Sequence, residues 1–418
     1  MMSKLVALAQ RLRTSFGYRA GPTLNRLSVA VENRWPSKRS QDRLIVLDDA
    51  FPNPFTAFRV AEFNTYFERF QQVKLYSTTA MFQYWIDEYG RQYPQFKKLV
   101  RPYDKNRILR GKGAYLVFLH NAFRFVEQLE KEGLPFVFTL YPGGEFRLDE
   151  PVSDQRLRRV FSSPMFRKVI VTQKITHDYL IKKSFCDPAR IEFIFGGVLA
   201  SNRLNASPFP KHRYGVDKDV LDVCFVAYKH MPGGIDKGYD RFIAAARMLA
   251  DRNQEVRFHV VGSFDESDVD IGDLQSRISF YGSQYTDFFP GFYANMDIIL
   301  SPNTPFVLDR GAFDAFPTGS CIEAGLCGVA LFCADELATN NGVFKDREEI
   351  VIISRKPEEI CAIVEEYIAR PDLLAELATR GQRTLQGVFD LYKQMEPRLR
   401  VLSSLLNIND AKRAHTRS

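Results

Sequence analysis

The segment Asp314-Ala-Phe-Pro-Thr-Gly-Ser-Cys-Ile-Glu323-Ala324, with the apolar run Gly328-Val-Ala-Leu-Phe-Cys333 close behind it, decides how the chain is read. Its order is loop, helix start, acid, buried strand. A helix that opens near Thr318 to Ser320 aims unpaired backbone N–H groups at whatever lies in front of it. Anions suit that position, pyrophosphate above all. Thr318 is the predicted N-cap, and Gly319 and Ser320 bring their amides to the phosphates. Glu323, one turn in, is placed to reach a ribose hydroxyl while the backbone holds the phosphates. Alone, the same residues also describe a capped helix with a solvated glutamate.

The surrounding pattern favours the anion site. Apolar runs recur at Val223–Ala227, Val256–Val261, Ile278–Tyr281, Asp297–Leu300, Val329–Cys333 and Ile350–Ile353, with helical periodicity between them, notably over Tyr239–Arg252. Helices over Pro357–Ala369 and Pro371–Gly387 each open on a proline, which suits a first helical turn. The first half repeats the alternation: Leu44–Leu47, Val73–Tyr76, Tyr115–Leu119, Phe136–Leu140, Val169–Thr172 and Ile191–Phe195, with a helix over 121–132. Alternation of this kind predicts an α/β fold of two Rossmann-like, doubly wound domains with parallel sheets facing a cleft. The expected boundaries are a basic arm at 1–40, a first domain at 41–199, a polar, proline-punctuated linker at 200–217, a second domain at 218–389, and a C-terminal helix with a basic tail at 390–418. Ligands of such sheets sit beyond the carboxyl ends of the strands, so the chemistry is sought in the loops that follow them.

Composition narrows the function. The 418 residues carry 57 Lys and Arg against 50 Asp and Glu, a net charge of +7. Residues 1–40 hold eight cations and one acid, Glu32, which accounts for the whole excess. The body is neutral, which excludes a globally basic nucleic-acid binder. Leu5, Leu8 and Leu12 fall at helical spacing among cations, so the arm reads either as an anchor on an anionic membrane surface or as a helix docked on the body. Arg11 and Arg13 interrupt the apolar run too early for a signal peptide, and the expected location is cytoplasmic, at the inner face of a membrane if the arm binds one. The six cysteines match no zinc spacing and read as core thiols.

With these pieces in order, the second half resembles the nucleotide-sugar-binding domain of glycosyltransferase family 4, of GT-B architecture. The resemblance rests on Asp236-Lys237-Gly238, Phe258–Gly262, Ile278–Gly282, Phe292–Pro302, the Asp314…Glu323-Ala324 segment and Gly328-Val-Ala. It covers roughly residues 220–390. The first half matches more loosely, through Phe118-Leu-His120-Asn and Pro135–Gly144. The resemblance implies that Lys237 neutralises a departing diphosphate and that Glu323 is the second acid of a Glu-x7-Glu motif holding the donor ribose. The first acid of that motif is replaced by Ala315, and Asp314 stands one step back. The family's arginine before the lysine is missing, and Lys229 is the available substitute, a point charge in place of a fork. Gly262 and Ser263 end a strand and are expected to border the base. His120 is expected to end an apolar strand and donate to a sugar hydroxyl, with a satisfied core histidine as the alternative. Tyr141, Gly143 and Gly144 are the expected acceptor-side residues. The family's glycine-rich loop after the first strand is absent, and Asp48-Asp49-Ala-Phe-Pro-Asn-Pro-Phe stands there. Asp268-Val-Asp270 reads as a solvated loop, and the resemblance implies no metal or other cofactor.

The function expected from these residues is sugar transfer, with retention, from a nucleotide-sugar donor to a hydroxyl of a saccharide or lipid-linked saccharide in surface-polysaccharide synthesis. The alternatives are an isomerase of sugar phosphates or nucleotide-sugars on the same fold, and a non-catalytic nucleotide-sugar-binding scaffold.

Overall fold

The computed structural model describes residues 42–205 and 208–406, together with Arg26, Val29, Ala30 and Asn33. The membrane reading of the basic arm and the basic end of the chain, 407–418, lie outside the described residues. Among the described residues, thirteen strands form two sheets. The first takes β1 (Leu44–Asp48), β2 (Val73–Ser77), β3 (Val100–Pro102), β4 (Gly113–Val117), β5 (Phe136–Leu140), β6 (Phe166–Val171) and β7 (Ile191–Phe193) in the order 3-2-1-4-5-6-7. The second takes β8 (Leu221–Val226), β9 (Val256–Val261), β10 (Ile278–Phe280), β11 (Ile298–Ser301), β12 (Ala330–Ala334) and β13 (Val351–Ile353) in the order 10-9-8-11-12-13. All pairings between these strands are parallel. β1, β4 and β5 are buried at every position, because helices cover both faces of a parallel sheet and leave no wet side. Each Val, Leu, Ile or Phe so buried contributes roughly 1.5–3 kcal/mol.

Every run expected as a strand is one. The short edge strand β3 was not expected. Its Val100-Arg-Pro sequence has no alternation long enough to show, and it pairs with β2 through only three residues. The helix Tyr239–Arg252 has its expected limits. At Tyr115–Leu119 the expectation overran: β4 stops at Val117 and a helix occupies Leu119–Lys131. His120 therefore lies in a first helical turn and not at a strand end. The stretch 200–217 is not simply extended linker, since Ser201–Asn205 is a short helix and Tyr214 bridges to Lys218. Of the cysteines, 224, 321, 333 and 361 are buried, while Cys186 and Cys327 are half-buried.

The helix Leu391–Leu405 crosses back and packs its Met395, Leu399 and Leu402 into the core of the first domain. It delivers Arg398, fully buried, to the side of Glu62 on the helix Ala57–Arg69. Glu62 accepts from Tyr66 at 2.8 Å, from Tyr115, and from Tyr141 at 3.4 Å. Burial raises the Glu62 carboxyl against the lowering effects of Arg398 and the tyrosines. Tyr141 is 7% exposed and belongs to this core. That corrects its expected acceptor role, because the ring turns inward from the loop after β5.

The domains meet around the loop after β11. Leu148 N donates to Gly311 O at 2.9 Å, and Phe146 stacks edge-on against Phe313 at 6.0 Å. A Cβ on Gly311 (φ 76°) would fall 2.0 Å from Leu148 O, so this crossing needs glycine. The amide of Gln173, just past β6, brackets Phe316 with two 3.4 Å bonds to its backbone O and N.

Candidate donor site between the two domains

After β8 the chain makes a turn, Pro232–Lys237, and Gly238 (φ 73°) opens the next helix in the left-handed region. A Cβ at Gly238 would stand 2.0 Å from Pro302 O. Glycine is therefore what lets this turn press against the end of β11. Lys237 is held there 7% exposed. Its Nζ lies 2.7 and 2.8 Å from the two carboxylate oxygens of Asp314 and 3.6 Å from Asp236. The two segments singled out in the sequence thus converge on one point. Asn303, just past β11, donates to Asp314 Oδ2 at 2.6 Å and accepts from Ser301 Oγ at 2.6 Å. Asp236 also pairs with His230 at 3.3 Å. Burial alone would raise the Asp236 carboxyl, but the His230 bond and the Lys237 charge outweigh it and hold it low.

The helix Gly319–Leu326 begins directly behind Asp314. Thr318 sits at its N-cap, yet its hydroxyl faces Ser320 Oγ at 3.2 Å and does not cap. Among the described residues, no backbone carbonyl accepts from the amides of Gly319, Ser320 or Cys321. Cys321 is buried, and the amides of Gly319 and Ser320 are the ones open to an anion. Glu323, half-buried, has no hydrogen-bond or ion-pair partner among the described residues, and burial pushes its carboxyl up to about 7. Ser301, Asn303, Asp314, Thr318 and Cys333 line one cavity at this spot.

One expected donor residue stands differently. Lys229 is bidentate to Asp268 at 3.0 and 2.9 Å and is not a free cation. This corrects the solvated reading of Asp268, whose side chain is 10% exposed and holds that lysine. Asp270 is the solvated one. Gly262 is buried at the end of β9 and Ser263 is exposed beside it.

The other expected residues lie in the first domain, where the chain leaves β1, β4 and β5. His120 Nδ1 lies 3.1 Å from Gly144 O, which also accepts the His120 backbone N–H at 3.1 Å. Its Nε2 has no exposed surface and stands 3.0 Å from Asp49 Oδ2, an ion-pair contact more than a straight hydrogen bond. Asp49 Oδ1 accepts from Arg59 at 3.0 Å and Asn121 at 2.9 Å. Arg59 Nε also pairs with the buried Asp48 at 3.0 Å. Burial by itself would lower His120 and raise Asp49. Their mutual contact, with the Arg59 charge on Asp49, wins in both, so His120 is raised and Asp49 is held well below the usual carboxylate range. Gly143 has open space before it, whereas Gly144 is packed on Phe118.

Asp49, Arg59, Asn121, Gln173 and Asn303 were missed in the sequence. The signal for Asp49 was present, an acid directly after a strand, but it was read as a departure from the family pattern.

The described residues contain no helix long and apolar enough to cross a membrane. Residues 240–396 match a family model described as glycosyl transferase-like. No curated protein matches the chain significantly. Similar solved structures include Anabaena HepE in complex with UDP and glucose, at 16% identity over 87% of this chain and 100% of that one, with a TM-score of 0.64. They also include sucrose-phosphate synthase from Thermosynechococcus elongatus, at 13% identity over 87% and 99%, TM-score 0.59. A third is UDP-GlcNAc 2-epimerase from Neisseria meningitidis bound to UDP-GlcNAc, at 11% identity over 86% and 100%, TM-score 0.56. The chain has the GT-B fold of two facing Rossmann-like domains, and its second domain matches the glycosyl transferase-like model.

Proposed function

We propose that the protein transfers a sugar from a nucleotide-sugar to an acceptor hydroxyl. One observation carries this reading: Lys237 is held on both carboxylate oxygens of Asp314, in the loop that leads into the helix start at Gly319 and Ser320, and Asp314 and the N-cap Thr318 line a cavity there. A diphosphate placed there takes charge-assisted bonds from Lys237 and from the helix start. Lys237 is at present matched by two carboxylates, Asp236 and Asp314. An arriving diphosphate therefore displaces Asp314, which then turns to hydroxyls of the donor sugar. Glu323, unpartnered, accepts from the ribose. The similar structures whose descriptions name UDP, UDP-glucose or UDP-GlcNAc support a nucleotide-sugar as the ligand.

In this mechanism the leaving diphosphate is stabilised while the C1–O bond breaks toward an oxocarbenium-like state. Cation and amides supply that stabilisation, so no metal is required of the site. Retention and a hexosyl donor follow the family 4 resemblance. A lipid-linked saccharide acceptor, at the inner face of a membrane and in surface-polysaccharide synthesis, follows the basic arm at 1–40. The test is a screen of UDP-, GDP-, TDP- and ADP-sugars for nucleotide release, with and without acceptor extract. Acceptor-dependent release is the expected result, and release from no donor would overturn the reading. The epimerase neighbour favours one alternative, isomerisation of the donor itself. That reaction would yield a changed nucleotide-sugar with no acceptor present.

A further inference from the structure

The first-domain wall shows which of its groups meets a sugar. Both ring nitrogens of His120 are committed, Nδ1 to Gly144 O and Nε2, without exposed surface, to Asp49. Nδ1 is occupied by Gly144 O and Nε2 is shut off from solvent beside Asp49, so neither ring nitrogen is presented to a sugar hydroxyl. Asp49 differs. Its side chain is 34% exposed, directly after β1 at the carboxyl end of the sheet, where ligands of this fold sit. An ionised carboxylate offers about four acceptor positions. Arg59 and Asn121 take two on Oδ1, and the His120 ion-pair contact at 3.0 Å covers one side of Oδ2. One remains.

We propose that Asp49 is the sugar-binding residue of the first domain, accepting a hydrogen bond from a pyranose hydroxyl, and that His120, Arg59 and Asn121 are positioning residues that keep its carboxylate ionised and fixed. The proposal rests on the nucleotide-sugar reading of the cleft and names a contact which that reading leaves open. Arg59, shared between Asp48 and Asp49, and the His120 ring beside Oδ2 make the carboxylate less costly to hold against the cleft. Three donors from two helices, Ala57–Arg69 and Leu119–Lys131, remove its rotational freedom. A fixed carboxylate with one vacant acceptor position suits a neutral polyol and disfavours a phosphate. The hydroxyl comes either from the donor sugar or from the acceptor saccharide, and the experiment separates the two.

Calorimetric titration with UDP and UDP-glucose, alongside the GDP, TDP and ADP pairs, gives the affinity added by the sugar. In Asp49→Asn, UDP binding stays as in the wild type and reports that the site is folded. If the donor sugar is the partner, the sugar-dependent gain falls roughly 10- to 100-fold, the range for a lost bond to a charged group. If the acceptor is the partner, nucleotide-sugar affinity is unchanged, and saturation-transfer NMR signals of methyl pyranosides disappear in the variant. Either result supports the proposal. Retention of both by Asp49→Asn overturns it, as does their loss in His120→Phe alone. A second readout is independent of any ligand. The groups facing the His120 ring are Asp49, Glu145, the Gly144 carbonyl and the stacked Phe118 ring, with Arg59 behind Asp49. NMR titration of the ring should give a raised pKa in the wild type that drops in Asp49→Asn, and an ordinary value in the wild type would overturn the positioning network. A wild-type protein that binds no nucleotide or nucleotide-sugar defeats the preceding reading and this ligand together. Binding that ignores Asp49 defeats only the present proposal.

Discussion

The two walls of the cleft handle charge in opposite ways. On the second-domain wall, Lys237 is bound to the carboxylate of Asp314, the Gly319 and Ser320 amides stand open, and Glu323 is without a partner among the described residues. On the first-domain wall the charges of Asp49, Arg59 and His120 lie against one another, and Asn121 adds a bond to Asp49 while its own Oδ1 is buried without a hydrogen-bond partner among the described residues. A wall with unmet donors and acceptors is arranged to bind an ionic ligand strongly, because desolvated polar groups gain most from a partner. A wall whose charges are already paired presents shape and one or two hydrogen bonds. The pair suits a molecule with a charged end and a neutral end, as a nucleotide-sugar has.

That contrast can be broken by substitution. The largest effect is expected at Lys237. Lys237→Ala should lower turnover roughly 10²- to 10³-fold, the range for removing one group that stabilises developing negative charge, as measured by steady-state kinetics on the donor found by screening. Normal turnover would remove the diphosphate role. On the other wall the expected loss is of stability. Arg59→Met leaves Asp48 buried without its cation, at a cost of about 3 kcal/mol in chemical denaturation.

Glu323 gives a pH signature. Its folded carboxyl is raised to about 7, so the folded state holds the proton more firmly than the unfolded chain does. The linked stability is complete below about pH 4.5 and is lost as pH climbs through about 7. Glu323→Gln should remove that slope, worth on the order of 2 kcal/mol across the window. An unchanged slope would mean another group titrates there.

Asp314→Asn should release Lys237 from its ion pair and tighten nucleoside diphosphate binding about tenfold, while sugar transfer weakens. A smaller effect still is expected at Lys229, already held by Asp268. Lys229→Ala should change donor affinity less than about tenfold, close to the worth of a partly exposed ion pair.

Much of the second wall was legible in the sequence because its chemistry is local. Lys237-Gly238 follows a strand directly, and Asp314 through Glu323 forms one contiguous loop and helix start. The strands were legible for a related reason, since buried parallel strands are unbroken apolar runs. The first wall depends on sheet order. Asp49 meets His120 and Asn121 only because β1 pairs with β4, which brings the loops after the two strands side by side. Gln173 and Asn303 act through backbone and side chains far away in sequence or hidden by loop shape. Tyr141 follows a strand as a cleft residue would, and nothing in its neighbours showed that the ring turns toward Glu62.

The central claim is that the Lys237 turn and the amides before Glu323 hold one pyrophosphate. A crystal structure of the UDP complex tests it most directly. The account predicts phosphate oxygens within hydrogen-bond reach of Lys237 Nζ and of the Gly319 and Ser320 amides, with Asp314 moved off the lysine. A diphosphate bound elsewhere, with the Lys237–Asp314 pair intact, would contradict it.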